Sequence, residues 1–153
     1  MVVDDDVDLL HTFKDLLEPR GYTVDTADTG MRALEMSRTG AYDLAVVDVR
    51  LPDIEGIEVL RRMRSNSRNM KKIILTGYPN LENAIESITQ GVDAYLLKPI
   101  EPAEFLKIIE GKLNDKEKED AYIENAVRQR MRTAEAKSSK TGARRHHSTG
   151  VKK

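Results

Sequence analysis

Leu44-Ala45-Val46-Val47-Asp48 decides how this chain folds. Four consecutive apolar residues without alternation suit a strand covered on both faces, as in a parallel sheet flanked by helices. The run then ends abruptly in a carboxylate. Three other segments repeat the pattern. Met1-Val2-Val3 runs into Asp4-Asp5-Asp6, Ile73-Ile74-Leu75 ends at Thr76, and Ala94-Tyr95-Leu96-Leu97 ends at Lys98-Pro99. If these runs are neighbouring parallel strands, their carboxyl ends share one edge of the sheet. Ligands bind at that edge in open α/β sheets.

The segments between them read as helices. Asp8 to Glu18 places Leu9, Leu10, Phe13, Leu16 and Leu17 on one face, and Pro19 and Gly21 stop it. Tyr22 to Ala27 alternates and predicts a more exposed strand. Thr29 caps a helix to about Arg38, with Gly40 beyond it. Leu51-Pro52 and Gly56 mark a turn-rich loop before a helix from Ile57 to about Arg64, and Lys72 to Thr76 is the next strand. Leu81, Ala84, Ile85 and Ile88 fall at i, i+3, i+4 and i+7, an amphipathic helix ended by Gly91. Pro102, Phe105, Leu106, Ile109 and Leu113 outline a fifth helix. Five strands alternating with five helices imply an α/β fold with helices on both faces of a parallel sheet.

Charge divides the chain. Residues 1–113 carry 14 Lys and Arg against 20 Asp and Glu, net −6; residues 114–153 carry 11 against 6, net +5. An acidic body followed by a basic extension is expected. The predicted organisation is a globular domain over 1–113, a helical extension over 114–137 and a disordered basic tail over 138–153. The extension begins with a charge run, Asp115 to Asp120. It continues as a helix from Ala121 to about Ala136 with a weak apolar stripe of Ile123, Val127 and Met131.

Some functions are excluded by composition. The chain has no Cys, so it has no thiol nucleophile, disulfide or Cys-based metal site, which suits a reducing cytosol. No P-loop or Gly-rich dinucleotide fingerprint is present. No apolar run reaches membrane-spanning length. The first strand starts at the chain's first residues and is short, so weak pairing of that strand is expected.

The strand-end residues suggest chemistry together. Asp4, Asp5 and Asp48 offer hard oxygen ligands suited to Mg²⁺, and crowded carboxylates favour a neutralising cation. A carboxylate is a competent nucleophile for a phosphoryl group. Lys98 and the Thr76 hydroxyl can meet the charge on the transferred oxygens.

At these residues the chain resembles the receiver domain of two-component response regulators, from Val2 to about Leu113. The resemblance rests on Val-Val-Asp-Asp-Asp at 2–6, Val-Val-Asp-Val-Arg-Leu-Pro-Asp-Ile-Glu-Gly at 46–56, Leu-Thr-Gly-Tyr at 75–78 and Gly-Val-Asp-Ala-Tyr-Leu-Leu-Lys-Pro at 91–99. It implies a flavodoxin-like (βα)5 doubly wound sheet with strand order 2-1-3-4-5. It also implies that Asp48 is the phosphoacceptor. Asp4 and Asp5 would hold Mg²⁺, with Asp5 favoured as the direct ligand, and Asp48 and the backbone carbonyl of Arg50 would complete the set. Thr76 resembles the switch hydroxyl, Tyr95 the switch aromatic and Lys98 the lysine that pairs with the phosphoryl group. Lys98-Pro99 is expected to be cis. Arg50 and Tyr78 occupy the two positions that tune phosphoryl lifetime; both are large, so slow self-hydrolysis is expected. The face built from helix 4, strand 5 and helix 5 is the expected site of change, and Leu10 and His11 lie where receivers meet their kinase.

The implied partners are a sensor histidine kinase or a histidine phosphotransfer protein, plus a downstream protein that the sequence leaves open. The expected location is cytoplasmic, with no membrane partner. No enzymatic activity beyond self-phosphorylation and self-dephosphorylation is expected. Two rival readings stand beside this one. The first is a receiver-like binding module that works without phosphorylation. The second is a regulator contacting nucleic-acid phosphates through Arg128, Arg130, Arg132, Lys137, Lys140, Arg144, Arg145, Lys152 and Lys153.

Overall fold

A computed structural model describes residues 1–63 and 69–143, with side chains through residue 138. Five parallel strands form one sheet in the order β2-β1-β3-β4-β5. They are β1 (Val2–Val3), β2 (Thr26–Ala27), β3 (Leu44–Val47), β4 (Lys71–Thr76) and β5 (Ala94–Leu97). Between and after them run α1 (Val7–Leu17), α2 (Gly30–Thr39), α3 (Gly56–Met63), α4 (Leu81–Thr89) and α5 (Pro102–Ala143). This is the parallel sheet with helices on both faces that the alternation implied, in the flavodoxin-like strand order that the resemblance implied.

The sheet is sandwiched between two apolar layers. On one side Val3, Ala33, Leu34, Val47, Ile57, Leu60, Met63 and Ile74 pack together. On the other, Leu10, Phe13, Leu17, Val46, Ile73, Leu75, Phe105 and Ile109 do so. Phe13 and Phe105 stack with ring centroids 4.0 Å apart, tying α1 to α5. Each such aliphatic or aromatic side chain contributes about 1.5–3 kcal/mol on burial. All four residues of β3 are buried, as expected for a strand covered on both faces.

Helix ends follow local chemistry. The Asp6 carboxylate accepts from the Leu9 N–H, Thr29 Oγ1 from Arg32, and Asn80 Oδ1 from Asn83, each at a helix start. After α1 the chain makes one 3-10 turn over Glu18–Arg20, with Pro19 inside it. Gly21 then reverses the chain at φ 89°, a left-handed conformation that suits glycine.

Two expectations are corrected, and one is refined. The Tyr22 to Ala27 strand shrinks to Thr26–Ala27. Its ladder partner β1 offers only two residues, paired Val2 with Thr26 and Val3 with Ala27, so nothing extends the pairing. The amphipathic α4 is present as predicted, with its apolar stripe turned away from the core. Leu81, Ile85 and Ile88 are 76%, 55% and 76% exposed, while Ser87 is buried and Asn83 and Ala84 are half-buried. The small, polar side of α4 rests on the domain. Finally, the fifth helix and the predicted extension helix are a single helix that continues to Ala143. No proline interrupts the segment after Pro102, and its charged residues are mostly good helix formers. The end of α3 near Arg64 and the tail residues 144–153 lie outside the described residues.

The chain divides into two compact units, Met1–Lys116 and Glu117–Lys153. Among the described residues, no helix is long and apolar enough to cross a membrane.

Candidate functional site: an acidic pocket at the carboxyl edge of the sheet

The parallel register brings the four strand ends to one edge. Val3 pairs with Val47, Val47 with Ile74, and Ile74 with Tyr95. The residues that follow therefore emerge side by side. Asp4 and Asp48 are 3% and 6% exposed, Thr76 is fully buried, and Asp5 faces solvent. One carboxylate oxygen from each of Asp4, Asp5 and Asp48 lies within 4.8 Å of the others. These are hard oxygen donors at metal-ligand spacing, and they fit a Mg²⁺-sized cation that retains water.

Lys98 closes the pocket. Its Nζ donates to Asp4 Oδ2 at 2.5 Å and to Asp48 Oδ2 at 3.1 Å. The Lys98 N–H is itself held by the Thr76 carbonyl at 2.9 Å, which fixes β5 against β4 just before the side chain leaves. The Lys98-Pro99 peptide is cis, as expected. Burial opposes the Lys98 charge, but hydrogen bonds to the two carboxylates outweigh it and hold the ammonium above the ordinary lysine pKa. Burial pushes the Asp4 carboxyl above the usual range, against the pull of Lys98 and the Asp6 N–H. Two buried carboxylates share one ammonium, so the pocket is short of positive charge.

The remaining predicted residues are also here. The Arg50 N–H donates to Asp48 Oδ1 at 3.3 Å. Thr76 Oγ1 accepts from the Tyr78 N–H at 3.2 Å. The Arg50 guanidinium lies 4.0 Å over the Tyr78 ring, a cation–π contact bridging the loops that follow β3 and β4. Tyr95 packs against the α2–α3 side of the core. Its buried hydroxyl has no hydrogen-bond partner among the described residues. Of the triple aspartate, Asp6 does a different job: it caps α1.

Two supporting residues escaped the sequence reading. Gly56 sits so close to the loop that a Cβ there would overlap the Asp48 carbonyl, and its N–H donates to the Val49 carbonyl at 2.8 Å. Any side chain would displace the backbone that carries Asp48. Asp53 accepts from the Gly30 and Met31 N–H groups at 2.9 and 2.7 Å, capping α2 from 22–23 residues away. This pins the loop after β3. Gly56 was visible as a turn signal and as the end of the 46–56 motif but not for this packing role, and the Asp53 contact has no local signal at all.

Comparisons with known proteins point to one family. The response regulator receiver domain family matches residues 1–110. The chain is similar to the probable transcriptional regulatory protein SilR of Salmonella typhimurium, 33% identical over 106 residues, covering 69% of this chain and 46% of that protein. It thus spans about half the length of that relative. Among solved structures it resembles a receiver domain protein of Methanospirillum hungatei JF-1, at 42% identity and a TM-score of 0.75, covering 77% of this chain and 94% of that one. It also resembles a response regulator of Burkholderia pseudomallei solved with a phosphorylated aspartic acid, a calcium ion and citrate. That match has 26% identity and a TM-score of 0.67, covering 78% of this chain and 71% of the other. With a family match over most of its length and the acidic strand-end pocket in place, the chain belongs to the response regulator receiver domain family.

Proposed function

We propose that this receiver accepts a phosphoryl group on Asp48 from a phosphohistidine of a sensor kinase or a histidine phosphotransfer protein. One observation carries the reading: Lys98 bridges Asp4 and Asp48 while Asp5 completes a triad of carboxylates. In the transfer, an Asp48 carboxylate oxygen forms the new bond to phosphorus. The phosphorus–nitrogen bond breaks, and its electron pair returns to the imidazole. Asp4, Asp5, Asp48 and the Arg50 carbonyl would hold Mg²⁺, which supplies positive charge against the phosphoryl oxygens. Lys98 is placed to pair with the incoming group, and the Thr76 hydroxyl to donate to it once freed from the Tyr78 N–H. The added charge of about −1.5 to −2 would then draw Thr76 and Lys98 inward and alter α4 and β5, with Tyr95 as the aromatic that responds.

The Arg50–Tyr78 contact supports slow self-hydrolysis, because two large side chains held together at the pocket mouth limit the approach of water. The chain's own chemistry is limited to gaining and losing this phosphoryl group in the cytoplasm. Its output is binding of a downstream protein or onward phosphoryl transfer.

The test is intact mass after incubation with Mg²⁺ and a small acyl phosphate. One phosphoryl adduct is expected on the wild type, with none on Asp48→Asn or in a chelated control. No adduct on folded protein would replace this reading with a phosphorylation-independent binding module. Arg50→Ala and Tyr78→Ala are expected to shorten the lifetime of the adduct; an unchanged lifetime would remove their shielding role.

A further inference from the structure

The second unit carries an apolar row with nothing against it among the described residues. Tyr122, Ile123, Val127 and Met131 are 77%, 47%, 48% and 64% exposed. Ile123, Val127 and Met131 follow one another at i+4 and so form a single ridge along the helix. Helices of this kind owe most of their stability to packing of an apolar face rather than to propensity. The ridge therefore calls for a partner.

Charge identifies the partner. Residues 117–124 hold four Asp and Glu against one Lys, net −3, and residues 125–137 hold four Lys and Arg against one Glu, net +3. The segment is a charge dipole with the apolar ridge across its centre. A parallel copy would set acid on acid and base on base. An antiparallel copy sets each half on its opposite.

We propose that residues 117–137 pair antiparallel with the same residues of a second copy of this chain, about a two-fold axis at Val127. In that register Val127 meets its counterpart and Ile123 meets Met131. Glu124 faces Arg130, Glu117 faces Lys137, and Tyr122 faces Arg132, an aromatic–guanidinium pair. The one like-charge pairing, Glu119 with Glu135, falls toward the ends, where solvent screens it. Within one helix Glu124 also reaches Arg128 Nη2 at 3.2 Å. Both partners are about two-thirds exposed, so the contact is weak and leaves Glu124 able to engage the second copy. Pairing along the whole segment suits helices crossing at roughly 20°, with the i+3 rows of one packed into the i+4 rows of the other. The apolar contact is small, so a dissociation constant on the order of 100 µM is expected.

The experiment is sedimentation equilibrium of the full chain up to about 1 mM, a range that spans the expected constant. A monomer–dimer equilibrium that weakens with salt is expected. Val127→Asp should weaken it by at least about tenfold, as expected for a charge forced into the apolar centre. Glu124→Arg should weaken it, and adding Arg130→Glu should restore it, because the swapped charges face each other again. Circular dichroism of each variant confirms that the helix persists. Orientation is read with cysteines, which the native chain lacks. Ile123→Cys chains mixed with Met131→Cys chains should form disulfides. Ile123→Cys alone should not, because its two copies lie about 12 Å apart along the axis. A chain that stays monomeric throughout overturns the proposal, as would a different occupant of the ridge. Efficient linkage of Ile123→Cys to itself overturns the antiparallel register, and failure of the charge swap overturns the pairing of Glu124 with Arg130.

Discussion

Helices α3 and α4 follow the two strands that deliver Asp48 and Thr76, yet they are packed in opposite ways. Helix α3 turns Ile57, Val59, Leu60 and Met63 into the core, all nearly inaccessible. Helix α4 fully buries only Ser87, half-buries Asn83 and Ala84, and leaves Leu81, Ile85 and Ile88 in solvent. The first helix anchors the residue proposed to react. The second rests lightly on the domain, beside the residue proposed to respond. Elements that move in switching are drawn from the weakly packed end of a protein, because a tightly packed helix cannot shift cheaply. The contrast separates a fixed half of the pocket from an adjustable one.

The contrast can be tested by substitution. Leu60→Ala in α3 should cost about 2–5 kcal/mol, the range for a fully buried leucine, as measured by urea denaturation. A loss as small as that of a surface change would mean α3 is no anchor. Gly56→Ala should cost about 1–3 kcal/mol from overpacking against the Asp48 carbonyl. It should also slow formation of the phosphoryl adduct in the mass assay, since Asp48 is displaced. Retained reactivity would show that the loop yields without moving Asp48.

Acid should blunt the response of α4 and leave α3 alone. The Asp4 carboxyl has a raised pKa. As pH falls through that raised value, a proton competes with Mg²⁺ at a higher pH than at an ordinary aspartate. Mg²⁺ affinity should then drop by up to about tenfold per pH unit for one linked proton. A Mg²⁺ titration followed by hydrogen exchange checks this. Exchange in α4 should respond to metal and phosphoryl donor, the response should fade at low pH, and α3 should stay protected throughout. The smallest effect is expected for Ile85→Ala on α4, within about 0.5 kcal/mol as for a surface site. A larger loss would mean that this exposed row is buried in solution.

Much of this was legible in the sequence because the key signals are local. An apolar run that stops at a polar residue marks both a buried strand and the group at its end, and all four runs do so, three at a charge and one at the Thr76 hydroxyl. The motifs at 2–6, 46–56, 75–78 and 91–99 placed the site residues where the structure brings them together. What failed needed knowledge of tertiary partners. Periodicity showed that Leu81, Ile85 and Ile88 share a face; it could not show that this face points away from the sheet. Alternation over Tyr22–Ala27 was real, but strand length was set by the two residues of β1. The fall in apolar content after Leu113 hid the continuity of the fifth helix with the extension, which charged residues of high helix propensity carry through Asp115–Asp120. The Asp53 cap on α2 and the Arg50–Tyr78 contact join residues 22–28 positions apart, where no local pattern reports the pairing.

The unbonded hydroxyl of Tyr95 bears on how sensitive this protein can be. A buried donor without a partner costs about 1–3 kcal/mol. That cost falls on the conformation described here, while any arrangement that gives the phenol a partner or water escapes it. Under the proposed switch the two arrangements are thereby drawn closer in energy, and a narrow gap sets a high gain: a modest stimulus at Asp48 would redistribute a large share of the molecules. A phenylalanine at this position would widen the gap and make the protein a duller instrument, without touching any atom of the acidic pocket.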